Sequence, residues 1–378
     1  MAVFSYETLR RFPDVEAGNL FAADASDRLI LDQASAVLGN SGPGEVAVIG
    51  DHYGALTIGA AALHGASDLR VYQDGLSGEL ALANNAKAQG LGGVYRQEPL
   101  GEQLVSDATV VLLQLPRTLA ELDEVADTIA RYAHESVTVF AGGRIKHMTL
   151  AQNNVLRAHF GDVHATLARQ KSRVLVATSP LRPTGASAYP LRQFQGELGI
   201  WVCASGAVFA GTKLDIGTRF LLGFLDQAKP DAASAIDLGA GTGVLATMLA
   251  KSRPAITVLA TDQSAAAVVS TRATVEANGV ADRVSVIRDT GLTSQQDASA
   301  ELILLNPPFH AGATVHTGVA LTLFEDAARV LRPGGELWTV FNSRLGYGAA
   351  LARAVGPTRQ VARNPKFTVT VSTPPPAG

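Results

Sequence analysis

The stretch AIDLGAGTGVLA, Ala235–Ala246, decides the fold of the second half of the chain. An apolar strand ends at Asp237, and an apolar helical run begins at Val244. Three glycines stand between them at every second position, namely Gly239, Gly241 and Gly243. Glycines let the backbone turn tightly and approach a ligand with no Cβ in the way, and a helix start adds free N–H groups. The pattern predicts a strand–loop–helix site of the nucleotide-binding type.

The spacing of these residues indicates the class of ligand. The order D-x-G-x-G-x-G differs from the G-x-G-x-x-G of dinucleotide binders, and it lacks the G-K-[ST] ending of a P-loop. An acidic residue before the first glycine suits a positively charged ligand better than a pyrophosphate. We therefore expect S-adenosylmethionine as the cofactor.

Length and composition limit the class of protein. A chain of 378 residues suggests two domains, and a net charge of −3 gives no global attraction to nucleic acid. The single cysteine, Cys203, excludes an intrachain disulfide and fits a reducing compartment. Neither a signal peptide nor an apolar run of membrane-spanning length is visible, and the histidines and Cys203 lack metal-ligand spacing. We expect a cytoplasmic, monomeric protein with no membrane partner and no metal.

The two halves of the chain repeat one pattern. Strands alternate with helices throughout, which predicts parallel sheets built of right-handed βαβ units. A shift of 189 residues lays Gly50 on Gly239, and the same shift lays His52 on Gly241. We predict an α/β fold with two tandem Rossmann-like methyltransferase domains from an internal duplication. Residues 1–185 form a degenerate methyltransferase-like domain for RNA recognition or scaffolding, and residues 186–378 form the catalytic, cofactor-binding domain.

Polar residues follow the predicted strands of the second half. Ligands of a doubly wound sheet bind across the carboxyl ends of its strands. Asp237, Asp262, Asp289 and Asn306 all stand at such ends. We expect Asp262 to accept both ribose hydroxyls of the cofactor, and Asp289, with the backbone of Thr290, to receive the adenine amino group. The alternative is that acidic residues at strand ends are plain helix caps.

The most specific feature is Asn306-Pro307-Pro308-Phe309. The proline rings fix the backbone and hold Asn306 extended. The Asn306 carboxamide oxygen and the Pro307 carbonyl can then accept both hydrogens of one planar NH2 group, which aims the nitrogen lone pair at a methyl donor. Phe309 can stack on a base swung out of its helix, and His310 is a candidate proton relay. The alternative is a rigid turn after a strand.

These motifs together resemble one family. The segment from Phe209 through Leu214–Thr218, followed by DLGAGTG and LLNPPFH, resembles the RsmC/RlmG family of ribosomal RNA guanine-N2 methyltransferases. The resemblance implies a degenerate N-terminal domain and an active C-terminal one. It also implies S-adenosylmethionine at the glycine loop and Asp262, the target amine at 306–309, and Asp215 and Thr218 beside the cofactor or the target.

An RNA substrate requires a positive surface, because phosphate contacts supply most of the affinity. Between Phe140 and Gln195 there are eight basic residues and one acidic residue. The candidates for RNA contact are Arg144, Lys146, Arg169, Lys171 and Arg173. The alternative is an ordinary solvated face.

We therefore predict methyl transfer from S-adenosylmethionine to an exocyclic amine, guanine N2 of ribosomal RNA or of a ribosomal subunit. Asn-Pro-Pro-aromatic motifs also serve adenine-N6 and protein glutamine-amide methylation, so these two substrates stay open. A noncatalytic RNA-binding assembly factor and a nicotinamide dehydrogenase are alternatives from other classes.

Overall fold

The computed structural model describes residues 4–308 and 314–375. The chain divides into two compact units, unit 1 (Met1–Tyr189) and unit 2 (Pro190–Gly378). The division lies beside the stretch at 185/186 where the sequence suggests a boundary. Among the described residues, no helix is long and apolar enough to cross a membrane.

Unit 1 contains one seven-stranded sheet and its helices. Its strands are β1 (Val46–Ile49), β2 (Leu69–Tyr72), β3 (Tyr95–Gln97), β4 (Val110–Gln114), β5 (Thr138–Arg144), β6 (Phe160–Ala165) and β7 (Ser172–Pro180). Its helices are α1 (Ala25–Leu38), α2 (Ala55–His64), α3 (Leu76–Ala88), α4 (Glu102–Val105), α5 (Leu119–Tyr132) and α6 (Leu150–His159). The sheet order is β3-β2-β1-β4-β5-β7-β6.

Unit 2 contains a second seven-stranded sheet and a two-stranded hairpin. The hairpin strands are β8 (Leu191–Gln195) and β9 (Ile200–Ala204). The sheet strands are β10 (Ser234–Leu238), β11 (Thr257–Asp262), β12 (Val284–Arg288), β13 (Ala300–Leu305), β14 (Leu331–Asn342), β15 (Thr358–Arg363) and β16 (Phe367–Ser372). The helices are α7 (Ile216–Leu222), α8 (Val244–Ser252), α9 (Ala265–Ala277), α10 (Thr314–Val330) and α11 (Gly348–Ala354).

The two sheets have the same strand order. Unit 2 reads β12-β11-β10-β13-β14-β16-β15, which repeats the order of unit 1 strand for strand. The prediction of two tandem Rossmann-like domains is confirmed. Each sheet differs from the purely parallel expectation at one edge, where β6 and β7, or β15 and β16, pair antiparallel. The connection from Arg363 to Phe367 is too short for the crossover that a parallel pair needs, so the chain makes a hairpin.

The central strands are apolar because helices cover both faces of each sheet. All four residues of β1 are buried, as expected for a strand with no solvent-facing side. In β13, Leu302 and Leu304 pack into one core cluster, and Ile303 and Leu305 pack into the cluster on the opposite face. This rigid centre holds the loops that follow β10, β11 and β13 at one edge of the sheet.

Candidate active site

The glycine loop joins β10 to α8 and is formed by left-handed backbone. Gly239, Gly241 and Gly243 have φ values of 74°, 58° and 72°. A Cβ added at Gly239 or Gly241 would meet no atom within 4 Å, whereas one at Gly243 would lie 2.7 Å from Thr271 Cγ2 of α9. The first two glycines therefore face open space, and the third is required by packing against a neighbouring helix. A ligand can approach the backbone only at the first two.

Asp237 lies inside the core beneath this loop. Its side chain is 1% exposed, and its Oδ2 accepts a hydrogen bond from the Ala246 N–H at 2.9 Å. Burial, with a smaller contribution from the charge of Asp262, raises the pKa of the Asp237 carboxyl to about 7. The carboxylate is directed at the backbone that begins α8.

Asp262 ends β11 and holds the loop in place. Its Oδ2 accepts from Gly241 N–H at 3.0 Å, and its Oδ1 accepts from Ser264 N–H at 2.9 Å. A carboxylate oxygen can accept more than one hydrogen bond, and the Asp262 carboxylate lies beside the open part of the loop. The position suits a diol such as the ribose edge predicted for it.

Asp289 is joined to Asp262 through the backbone, since its N–H donates to the Asp262 carbonyl at 3.0 Å. Its buried carboxylate faces the loop that follows β12. It accepts from the Thr293 hydroxyl and, at 2.9 and 2.7 Å, from the Ser294 N–H and hydroxyl. Thr290 follows directly and is half-buried. The structure thus places Asp289 and Thr290 beside Asp262, with the Asp289 carboxylate engaged in shaping its own loop.

Asn306 follows β13, and its side chain is hydrogen-bonded to residues at the start of α7. Its Nδ2 donates to Asp215 Oδ2 at 2.9 Å and to Thr218 Oγ1 at 3.0 Å. Asp215 is the N-cap of α7 and accepts from the Thr218 N–H at 2.9 Å. The carboxylate requires a donor, so the NH2 end of the amide must face it and the oxygen must point away.

The amide oxygen of Asn306, Oδ1, is therefore the atom that indicates what this site can bind. Oδ1 is shielded from solvent and has no hydrogen-bond partner in the described protein. An unpaired buried carbonyl costs about 1–3 kcal/mol, so its presence at the end of β13 calls for an explanation. Pro307 is buried and Pro308 is exposed. Phe309 and His310 lie outside the described residues.

In unit 1, the loop that is equivalent to the glycine loop carries side chains. Asp51, fully within the loop, turns inward and accepts from the N–H groups of Leu56 and Thr57 at 2.7 and 2.8 Å. Asp51 thus accepts from the start of α2 as Asp237 accepts from the start of α8. Asp51 lies in the loop, whereas Asp237 lies in strand β10. His52, at the position of Gly241, has a left-handed φ of 58°. A side chain thus occupies the place that unit 2 keeps clear.

The basic residues predicted to contact RNA are gathered at one end of β5 and β7. The Ile145 N–H donates to the Lys171 carbonyl at 2.9 Å, and Gly143 pairs with Arg173. Two members have acidic partners: Arg144 lies 3.9 Å from Asp24, and Arg169 pairs with Asp32. Within residues 4–308 and 314–375, Lys146, Lys171 and Arg173 form no ion pair. No group of histidine, cysteine or carboxylate side chains in that described part could hold a metal ion.

Comparison with known proteins places the chain in a family. The family described as "Methyltransferase small domain" matches residues 199–371, and the "RLMG N-terminal domain" matches residues 3–181. A Pseudomonas paraeruginosa protein named Ribosomal RNA large subunit methyltransferase G is 36% identical over 97% of both chains. The chain belongs to this family. A Streptomyces avermitilis member is 34% identical over 96% of this chain and 95% of its own length. The resemblance drawn from the motifs is confirmed.

A solved structure supports the fold of the whole chain. It is a Thermus thermophilus 16S rRNA N2 G1207 methyltransferase, RsmC, in complex with AdoMet and guanosine. It matches with a TM-score of 0.72 and 20% identity over 95% of this chain and 97% of its own. This neighbour therefore shares the two-unit architecture described above.

Proposed function

We propose that this enzyme transfers a methyl group from S-adenosylmethionine to the N2 amine of a guanine in large-subunit ribosomal RNA. The observation that carries the proposal is the buried Oδ1 of Asn306 at the end of β13, which has no hydrogen-bond partner among the described residues. It is a hydrogen-bond acceptor held in place, in a chain whose relatives are named rRNA methyltransferases. An exocyclic amine is the group that such an acceptor would hold.

The residues of unit 2 fit S-adenosylmethionine. Gly239 and Gly241 leave clear space over the backbone where a Cβ would stand. Asp262 lies beside this space to accept the ribose hydroxyls, and Asp289 and Thr290 adjoin it for the adenine edge. Asp237 contributes by holding the start of α8 rather than by touching the ligand. The bound cofactor would supply an electrophilic methyl group.

The chain's part in the chemistry is positioning and electrostatic stabilisation. The guanine N2 lone pair is delocalised into the ring, so the amine is a weak nucleophile. Asn306 Oδ1 and the Pro307 carbonyl accept its two hydrogens, which draws the lone pair out of conjugation and in line with the methyl carbon. The surplus proton leaves from the methylated nitrogen to solvent, with His310 as a candidate relay. Phe309 is the motif's candidate for stacking on the base.

We further propose a division of labour between the units. Unit 1 supplies RNA contacts through the basic residues at the end of β5 and β7, and unit 2 carries out catalysis. Every residue assigned to the cofactor and the amine belongs to one chain, so a monomer suffices. A ribosomal substrate places the enzyme in the cytoplasm, and size-exclusion chromatography with light scattering would test the monomer.

The experiment that tests the function uses tritiated S-adenosylmethionine. Ribosomal RNA, ribosomal subunits and total protein from a strain lacking this gene would be incubated with the enzyme, and the RNA digested to nucleosides. We expect label in N2-methylguanosine of the large-subunit RNA. Label in N6-methyladenosine or in protein would overturn the substrate, and cofactor binding without any transfer would favour an assembly factor.

The role of Asn306 is tested with Asn306→Ala in the same assay. Removing one stabilising group of this kind costs about 10²–10³ in kcat. We expect that loss with little change in the affinity for S-adenosylmethionine, measured by calorimetry. A variant with wild-type turnover would remove Asn306 from the reaction.

A further inference from the structure

We propose that Asp215, Gly217 and Thr218 form an amide clamp that allows Asn306 to offer the substrate only its oxygen. The clamp rests on the proposed amine methylation and names the residues that make the site selective for an amine. Asp215 and Thr218 act as positioning residues, through Asn306, and Gly217 keeps the amide oxygen unpaired.

The first observation is that both hydrogens of the Asn306 amide are taken. Nδ2 has two N–H bonds. One points to Asp215 Oδ2 at 2.9 Å and the other to Thr218 Oγ1 at 3.0 Å. The amide therefore has no donor left for a ligand, and its remaining hydrogen-bonding capacity is Oδ1, which has no partner within residues 4–308 and 314–375. A hydrogen bond to a carboxylate at the nitrogen end also polarises the amide and strengthens its oxygen as an acceptor.

The second observation is the equivalent amide in unit 1. Gln114 ends β4 as Asn306 follows β13, and α1 begins after the N-cap Asp24 as α7 begins after Asp215. Gln114 Nε2 also donates to the start of its helix, at the Asp27 carboxylate. Here, however, Ser26 Oγ lies 3.3 Å from both Gln114 Oε1 and Gln114 Nε2, and its hydroxyl also donates to Asp24 Oδ1. Unit 1 keeps the anchored amide but has a hydroxyl within reach of both ends of it.

One difference between the units lies at the second residue of the helix. Ser26 is the second residue of α1, and Gly217 is the second residue of α7. A Cβ at Gly217 would lie 3.2 Å from Asn306 Oδ1, 3.1 Å from Asp215 Oδ2 and 3.2 Å from Phe367 Cε1. Gly217 is not in the left-handed region, so its backbone does not require glycine. The position is small because a side chain there would crowd the clamp, and a serine would bring a hydroxyl to the oxygen.

The chemical consequence is selectivity for the class of group at the site. An amide with a free NH2 could rotate and bind either a carbonyl or an amine. An amide clamped at nitrogen can bind only a donor, and a base carbonyl in its place would face an unpaired oxygen. The clamp therefore favours an N–H donor, such as an exocyclic amine, over a carbonyl at this position.

The test compares matched variants in the tritium assay on large-subunit RNA. Gly217→Ser brings the hydroxyl of unit 1 to the amide oxygen, and Gly217→Ala adds the same Cβ without the hydroxyl. We expect Gly217→Ser to lower kcat about 100-fold, as for loss of one stabilising contact. Its KM for S-adenosylmethionine should stay unchanged, and Gly217→Ala should show a smaller loss from crowding alone. Equal kcat values for the two variants would overturn the proposal.

A second pair keeps the test independent of crowding at Gly217. Thr218→Val removes the hydroxyl that accepts from Asn306 and keeps the shape, whereas Thr218→Ser restores the hydroxyl. We expect kcat to fall about tenfold in Thr218→Val, the worth of one hydrogen bond, and to recover in Thr218→Ser. Equal kcat in both would refute the anchoring role. Wild-type enzyme that labels no RNA would instead refute the proposed function, so the two failures are distinguishable.

Discussion

Asp237→Asn is expected to change how the stability of unit 2 depends on pH. The buried carboxyl has its pKa raised from 3.8 to about 7. Between these values the native state holds a proton that the unfolded chain has released, so the free energy of unfolding falls as pH rises. A shift of about 3 pH units corresponds to about 4 kcal/mol in total. Asparagine cannot titrate, so the variant should lack this loss.

The change in the free energy of unfolding that can be measured is smaller, because part of the loss has already occurred by pH 5. With one site titrating at 3.8 when unfolded and about 7 when folded, the wild type should lose about 2–3 kcal/mol relative to the variant between pH 5 and pH 8. Asparagine can still accept the Ala246 hydrogen bond, and any cost of its buried NH2 is the same at both pH values. The pH-dependent difference therefore isolates the carboxyl.

The assay is urea unfolding followed by tryptophan fluorescence. Both tryptophans, Trp201 and Trp338, lie in unit 2, so the signal reports that unit in the intact two-unit chain. Asp282→Asn, at an exposed carboxylate, serves as the control and should keep the wild-type pH dependence. If wild type and Asp237→Asn lost stability in parallel from pH 5 to pH 8, Asp237 would be ionised throughout and the reasoning would be refuted.

Two further outcomes follow from the geometry. Gly243→Ala should destabilise unit 2 more than Gly239→Ala. Left-handed strain costs about 1–2 kcal/mol at either position, but only the added Cβ at Gly243 clashes with α9. Equal urea midpoints for the two variants would contradict this. Replacing Lys171 and Arg173 by glutamine should weaken RNA binding and reduce the slope of log K against log salt by about 1–2. Lys87→Gln is the matched control, because this exposed lysine of α3 lies outside the set of predicted RNA contacts. An unchanged slope in the double variant would remove Lys171 and Arg173 from the RNA contact surface.

The sequence predicted the fold and the nature of the site well, for a local reason. A strand, a glycine loop and a helix are contiguous, and so are Asn306 and the two prolines, so their chemistry is readable from spacing alone. The duplication was readable for the same reason, since it repeats whole strand–helix units. The antiparallel edge of each sheet was not anticipated, because strand direction depends on how short the last connections are.

Some roles in the site could not be read in this way. Asp237 and Asp289 resemble ligand contacts in the sequence, yet their carboxylates are turned to the backbone of α8 and to the loop after β12. Gly217 is part of the motif that carries the family resemblance, but the reason for a glycine there depends on the Asn306 amide, which is distant in sequence. The nearest indication of it in the sequence is the alignment of Asp24 with Asp215 between the two halves, which makes Ser26 the equivalent of Gly217.

The sequence by itself determined that this chain has two related α/β domains, and it predicted which residues of the second bind S-adenosylmethionine and hold an amine. Only the tertiary structure decided which glycine faces ligand space and which packs on Thr271. It alone brought Asp215 to Asn306 across 91 residues, and showed Asp51 capping α2 in place of an aspartate in the strand. The physical reason is that hydrogen-bond direction and burial depend on side chains that are distant in sequence and adjacent only after folding.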